Sequence, residues 1–391
     1  MKVVFITHYA ELYGANRSLL NLIDGLVPLG VKPFVIVPYE GDIISALRER
    51  GIQFLLVPHE LWSDMAPLSH GLRGKFANFC RVRREAFRRL IANLRLIPHV
   101  ARQLKTWDID IIYTNSSVIL LGALLARWMR KPHVWHLREF GDLDYNLNLD
   151  WGKSLSDFVM RRANAQICVS EAVRSHYASG LIKGKSHVIY NGVATEVEME
   201  RLHRTASTRS ETGSKFVFAL VGLIHPSKGQ ETAIRALGLL KDSFPGVRLI
   251  IAGEGCDTKP LEELAANCGV SEQVTFIGYT KNPFEVYLQS DAVLMCSKNE
   301  AMGRVTVEAM AAARPVLGYN GGGTAELIVS EFNGLLYKGD EKELASCMRR
   351  IVANPALGRG MGEQGWRTAR EKYSIETYAE SVYEVLSSLL G

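Results

Sequence analysis

The sequence predicts an α/β protein built from two doubly wound parallel sheets. Three observations carry that prediction. Apolar runs of four to six residues recur from one end of the chain to the other, separated by helix-length segments. The runs are continuous rather than alternating, as expected of strands buried on both faces of a parallel sheet. One polar stretch interrupts the series, and 391 residues leave room for two cores of ordinary size.

The first series reads KVVFITH, KPFVIVP, QFLLVP, DIIYTN, KPHVWH, AQICVS and HVIYNGV, and it assigns residues 1–195 to an N-terminal domain. The interruption, EVEMERLHRTASTRSETGS over 196–214, is polar and poor in β-branched apolar residues, so it reads as a linker. The second series, KFVFALVG, VRLIIAGEG, QVTFIG, DAVLMCS and RPVLGY, gives a C-terminal domain over 215–370. A last segment, 371–391, carries a helix with apolar residues at three- and four-residue spacing. Whether that helix completes the second domain or crosses back to the first stays open at this level. Sheets of this class bind ligands beyond the carboxyl ends of their strands, which is where functional residues are sought.

Composition narrows the function. A formal net charge of +5 is too small to argue for nucleic acid. The six cysteines form no C-x-x-C pair and no metal-ligand spacing, which points to a reducing, cytoplasmic setting. The opening MKVVFITHY is too short an apolar run for a signal peptide, and the run from Val118 to Met129 is too short to span a bilayer. Basic charge is concentrated between Arg73 and Lys105, where ten Lys or Arg residues face one acid, Glu85. On a helix Arg81, Arg84, Arg88, Arg95 and Arg102 fall on one stripe beside Phe76, Phe79, Phe87, Leu90, Leu94, Ile97 and Leu104. Pro98 is expected to split the segment into two helices. The stripe is either a solvated helix face or a peripheral membrane contact for anionic headgroups at the inner face of the membrane.

Candidate chemistry centres on Glu300 and Glu308 in CSKNEAMGRVTVEAMAAARPV. The first follows an apolar strand; the second lies in a helix that opens near Gly303. At ~1.5 Å per residue their carboxylates are roughly 12 Å apart along the chain. Between them the N–H groups of Met302, Gly303, Arg304 and Val305 are expected at a helix start, which attracts phosphate. Two acids flanking an anion-binding middle suit a nucleotide diphosphate sugar: sugar, diphosphate, ribose. Further candidates sit at strand ends. Gly14 and Ala15 lie between a strand and a helix, without the G-x-G-x-x-G of dinucleotide binding. Lys228, before Gly229, can meet a diphosphate. His136 ends the strand KPHVWH, where an imidazole can bond a sugar hydroxyl or share a proton. Tyr279 follows QVTFIG and is a candidate contact to the nucleotide base.

Together these segments resemble glycosyltransferase family 4, the retaining enzymes of GT-B fold, in which two Rossmann-like domains face a central cleft. The resemblance spans nearly the whole chain and is strongest over DAVLMCSKNEAMGRVTVEAMAAARPVLGYNGGGTAEL. It implies that Glu300 contacts the donor sugar near the reacting centre, that the backbone of Met302 to Arg304 faces sugar and phosphate, and that Glu308 binds the ribose. It also implies that Lys228 neutralises the diphosphate and that Gly14 and Ala15 close over it. His136 would lie over the donor sugar, and Asn191-Gly192-Val193 would enter the interdomain hinge. No metal and no other cofactor are expected, since no D-x-D-like site is evident. The implied reaction is front-face transfer with retention, from a UDP- or GDP-linked sugar to a lipid-linked or polysaccharide acceptor.

One position departs from the pattern. The family places an arginine directly after the glycine that ends the second domain's first strand, here Gly222, and this chain has Leu223. One of two cations on the leaving group is therefore missing, with Arg304 or Arg138 as substitutes. The departure keeps two rivals in view: a catalytically silent nucleotide-sugar-binding subunit, and a transferase for a small soluble acceptor. A change of reaction to epimerisation or phosphorolysis is a further rival, although nothing in the sequence nominates a lysine for pyridoxal phosphate.

Overall fold

The computed structural model describes residues 1–65, 72–208 and 215–391; the side chains of Met65, of 72–79 and of Tyr145 lie outside that description. The chain forms two compact units, Met1–Asn191 together with Tyr378–Gly391, and Gly192–Thr377.

In the first unit the strands are β1 (Lys2–Ile6), β2 (Lys32–Val37), β3 (Gln53–Leu56), β4 (Ser63–Met65), β5 (Ile111–Thr114), β6 (His133–Leu137), β7 (Leu147–Leu149), β8 (Ala165–Cys168) and β9 (Ser186–Val188). Seven of them make one sheet in the order β3-β2-β1-β5-β6-β8-β9. Every pairing in it is parallel. β4 and β7 form a separate antiparallel pair. Alternation along the strands divides two cores. Val3, Phe5, Val35, Val37, Ile111 and Tyr113 face one side, while Val4, Ile6, Phe34, Ile36 and Ile112 face the other. The first side is covered by the helix Gly14–Leu26 and by the last helix, Ile375–Ser387, whose Tyr378, Ala379, Val382, Val385 and Leu386 are buried in that core.

A single helix, Leu72–Trp107, covers the other side and runs through Pro98. The expected break is absent, for a physical reason. Proline removes one backbone bond, to the carbonyl of Leu94, at a cost of about 3 kcal/mol. Leu94 and Pro98 lie on the exposed face, where a carbonyl that loses its partner can turn toward solvent. On the opposite face Ile97, Val100, Ala101 and Leu104 are almost fully buried. At about 1.5–3 kcal/mol for each large side chain, their burial outweighs the proline.

The second unit carries β10 (Val217–Val221), β11 (Arg248–Ala252), β12 (Val274–Gly278), β13 (Ala292–Met295), β14 (Val316–Tyr319) and β15 (Gly334–Tyr337). They form one sheet in the order β12-β11-β10-β13-β14-β15, with parallel pairing throughout. Phe218, Leu220, Leu249, Ile251, Leu294 and Leu317 share its core with helix residues such as Ile234, Leu237, Leu344 and Met348.

The stretch read as a linker differs in structure. Glu196–Ser207 is a helix capped by the Thr195 hydroxyl, and it belongs to the second unit. It buries only Met199 and Leu202 and is held by Trp366 Nε1 donating to the Met199 carbonyl at 3.1 Å and by His203 to Glu363 at 2.7 Å. The rest of that stretch, 209–214, lies outside the described residues. The chain changes unit at Asn191–Gly192 and again at Thr377–Tyr378, instead of at residues 195 and 371.

Candidate functional site

In the second unit the candidate residues gather at the carboxyl ends of β10, β13 and β14. The loop after β10 carries Gly222 and Leu223, then a 3₁₀ turn, Pro226–Lys228, which hands over to the helix Gln230–Gly238. His225 caps that turn, its Nδ1 accepting from the Ser227 N–H at 3.2 Å. Gln230 Nε2 ties the loop back by donating to the Leu223 carbonyl at 2.8 Å, which leaves the Leu223 side chain partly exposed. Lys228 is thereby delivered to Glu300: Nζ lies 2.8 Å from Oε2.

Glu300 sits in the loop between β13 and the helix Arg304–Ala311. The glycine turn after β14 fixes it. Gly323 N–H donates to the Glu300 carbonyl at 2.7 Å, and a side chain on Gly322 would meet that carbonyl at 2.4 Å. The run of glycines in YNGGGTAEL is thus a backbone-to-backbone contact that positions the acid. Gly303, with φ +90°, lets the chain enter the Arg304 helix in a left-handed conformation that side chains avoid. The amide groups of that first turn are the anion-attracting end of the helix.

Glu308 lies one turn into this helix, and its side chain is 7% exposed. Its Oε1 accepts from Arg304 Nη2 at 2.8 Å and Nε at 3.1 Å, and its Oε2 accepts from the Tyr287 hydroxyl at 2.9 Å. Each acid nominated from the sequence therefore holds a cation, Lys228 on Glu300 and Arg304 on Glu308. Met302 is buried beside them, Val305 is half-buried, and Tyr279 is exposed in the loop after β12. The Thr306 and Thr324 hydroxyls, both buried, make no hydrogen bond among the described residues. They lie 3.3 and 3.2 Å from the position of a Cβ on Gly303.

In the first unit His136 is the penultimate residue of β6, not its last, and is fully buried, its Nδ1 2.6 Å from the Tyr113 hydroxyl. Burial, and then the neighbouring Arg138 guanidinium, hold its pKa well below the ordinary histidine value, so the ring is neutral. Its Nε2 makes no hydrogen bond among the described residues. Arg138 is fixed on three sides: Nε donates to Asn115 at 2.6 Å, Nη1 to Asn191 at 2.6 Å and Nη2 to the Tyr378 hydroxyl at 2.9 Å. It is an internal brace, which corrects the expectation that it could serve as a substitute cation.

Glu139 is also buried, and one oxygen accepts from the Ser116 hydroxyl at 2.6 Å, the Ser117 N–H at 2.7 Å and the Ser117 hydroxyl at 2.6 Å. Burial raises its pKa, and burial plus Glu139 raise that of Asp144 to about 6. The T-N-S-S run at the end of β5 is the sign of this polar network in the sequence. Gly14 and Ala15 open the Gly14–Leu26 helix; Gly14 is exposed and the Ala15 N–H donates to the Tyr9 hydroxyl at 3.2 Å.

Arg81, Arg84, Arg88 and Arg95 are exposed on the Leu72–Trp107 helix, beside Phe87, Ile91 and Leu94 at i, i+4 and i+7. Arg88 is engaged by Glu60 at 2.9 Å and Glu85 at 2.8 Å. The side chains of Arg73, Lys75, Phe76 and Phe79 lie outside the described residues. Among the described residues no three His, Cys, Asp or Glu side chains are grouped to hold a metal ion, and no helix is long and apolar enough to cross a membrane.

Two family models match side by side: Glycosyltransferase Family 4 over residues 13–197 and Glycosyl transferases group 1 over 205–368. A Bacillus subtilis protein named as a glycosyltransferase, EpsD, is 29% identical over 76% of this chain and 81% of its own length. The lipopolysaccharide core biosynthesis glycosyltransferase LpsE of Rhizobium meliloti is 24% identical over 88% of this chain and 94% of its own. Among solved structures, Anabaena HepE in complex with UDP and glucose superimposes with a TM-score of 0.75 at 21% identity, covering 99% of this chain and 100% of that one. The shared fold is GT-B.

Proposed function

Because this chain belongs to the glycosyltransferases, in the lineage of Family 4 and group 1, we propose that it transfers a sugar, with retention, from a UDP-linked donor to a glycan or lipid-linked hydroxyl. The observation that carries this reading is the pairing of two acids with two cations around one helix start: Lys228 with Glu300, and Arg304 with Glu308. A UDP-sugar offers matching groups in the matching order. The preference for uridine is supported by the likeness to HepE, whose structures hold UDP and UDP-glucose.

In the proposed reaction the bond from the anomeric carbon to the diphosphate oxygen breaks, and the acceptor oxygen bonds to that carbon on the same face. The acceptor's proton passes to the departing phosphate oxygen. Charge grows on the diphosphate as it leaves, so Lys228 and the amides of Met302 to Val305 stabilise the transition state more than the bound donor. Glu300 orients the sugar hydroxyls, Glu308 the ribose, and Tyr279 borders the base.

For the acceptor, the likeness to LpsE favours a growing lipid-linked or polysaccharide glycan. We place the protein at the cytoplasmic face of a membrane, held peripherally through Arg81, Arg84, Arg95 and the exposed Phe87, Ile91 and Leu94. The decisive test is Glu300→Gln in a variant that melts like the parent, assayed with a panel of UDP- and GDP-sugars and a product analysed for anomeric configuration by NMR. Transfer should fall by at least tenfold and the product should keep the donor's configuration. Parent-like transfer would remove Glu300 from the reaction, and an inverted product would remove the retaining mechanism.

A further inference from the structure

Resting on the nucleotide-sugar reading, the geometry points to Arg304 as the second cation on the donor diphosphate, replacing the one missing at Leu223. Of the two arginines able to compensate, Arg138 is ruled out by its three bonds to Asn115, Asn191 and Tyr378 within the first unit. Arg304 differs in place and in partner. It is the first residue of the helix whose amides face the anion, and it shares a unit with Lys228 and Leu223. Its guanidinium is folded back along the helix onto Glu308, a carboxylate whose other oxygen is taken by Tyr287.

The two ion pairs have one logic. Each joins an acid suited to donor hydroxyls with a cation suited to donor phosphate. When a nucleoside diphosphate enters, ribose hydroxyls replace Arg304 on Glu308 Oε1, and the freed guanidinium turns to the phosphates at the helix start. Tyr287 keeps Glu308 in place during the exchange. An arginine there offers two parallel N–H donors to phosphate, which a lysine cannot. The buried Thr306 and Thr324 hydroxyls, beside Gly303 and without a bond among the described residues, mark the same point as one where oxygen ligands are accommodated. Loss of the loop arginine is then a relocation of charge and does not imply a silent subunit.

The test uses the full chain, with UDP and uridine as probes: calorimetry for UDP and saturation-transfer NMR for uridine. R304M should weaken UDP binding by roughly ten- to a hundredfold, with uridine binding unchanged or tighter, since Glu308 no longer carries its competitor. R304K should be intermediate, and L223R in the R304M background should recover most of the UDP affinity. The proposal is overturned if R304M binds UDP like the parent, or if UDP and uridine are lost equally, which would make Arg304 a holder of Glu308 alone. A parent protein that binds neither UDP nor GDP would instead remove the nucleotide-sugar reading on which this proposal rests.

Discussion

Acid should destabilise the first unit while most carboxylates are still ionised, because that unit holds its buried histidines neutral. Burial lowers the pKa of His8 and His133 to about 3, and that of His136 well below the ordinary value. Unfolding exposes all three rings to water, where each takes a proton near pH 6.5. A depressed histidine pKa therefore contributes stability above pH 6.5 that is lost as pH falls toward the folded value. Between pH 7 and 5.5 each ring held to about 3 removes about 1 kcal/mol, so His8 and His133 together remove about 2–3 kcal/mol, and His136 acts in the same direction. Asp144, raised to about 6, acts in the other direction: its folded form gains a proton first and returns about 1 kcal/mol over the same interval. His59 and His187, lowered by burial, add to the loss, while Glu139 and Asp150, raised by burial, oppose it. The net loss is on the order of 2 kcal/mol, a large share of the ~5–15 kcal/mol that holds a domain. Five of the six tryptophans, Trp62, Trp107, Trp128, Trp135 and Trp151, lie in this unit, so urea unfolding followed by tryptophan fluorescence reads it selectively. Unfolding free energies that agree within about 1 kcal/mol at the two pH values would refute the reasoning.

Three further outcomes follow from the same structure. Lys228→Met removes the cation from Glu300 and from the leaving group, and kcat for transfer should fall by roughly a hundred- to a thousandfold with folding intact; a parent-like kcat contradicts the role. Pro98→Ala restores the bond to the Leu94 carbonyl on an exposed helix face and should raise stability by about 1–3 kcal/mol, read as a higher melting temperature; a lower one would mean that the proline ring contributes packing. Reversing Arg81, Arg84 and Arg95 to glutamate should abolish flotation with anionic liposomes, since each arginine near such a surface contributes about 1 kcal/mol, whereas unchanged flotation would leave the helix face merely solvated.

How much was legible beforehand depended on whether an element announced itself locally. The long sheet strands did, because parallel strands covered on both faces must be written as unbroken apolar runs, as in KVVFI and AVLM. β4 and β7 did not: SDM and LNL are three residues each and exist only through pairing with one another. β15, GLLY, begins with a glycine and offers too short a run to stand out. Helix Glu196–Ser207 reads as a linker in the sequence because it buries two side chains and exposes charge elsewhere. In the site, Glu300, Lys228 and Glu308 were legible as a motif. Of the two ion pairs joining them to cations, only Arg304 with Glu308 has a local signal, the i, i+4 spacing on a helix; Lys228 and Glu300 are 72 residues apart. The brace around Arg138 was invisible, since Tyr378 is 240 residues away and no local pattern links them.

The central claim is that the second unit grips an activated sugar through its diphosphate at the start of the Arg304 helix. A crystal of the protein with a UDP-sugar tests it most directly. Phosphate oxygens should lie within hydrogen-bond reach, about 3 Å, of Lys228 Nζ and the Met302 to Val305 amides, with ribose hydroxyls on Glu308 and the sugar beside Glu300. A donor bound elsewhere, or with Glu300 and Glu308 still closed on their cations and turned from the ligand, would contradict it.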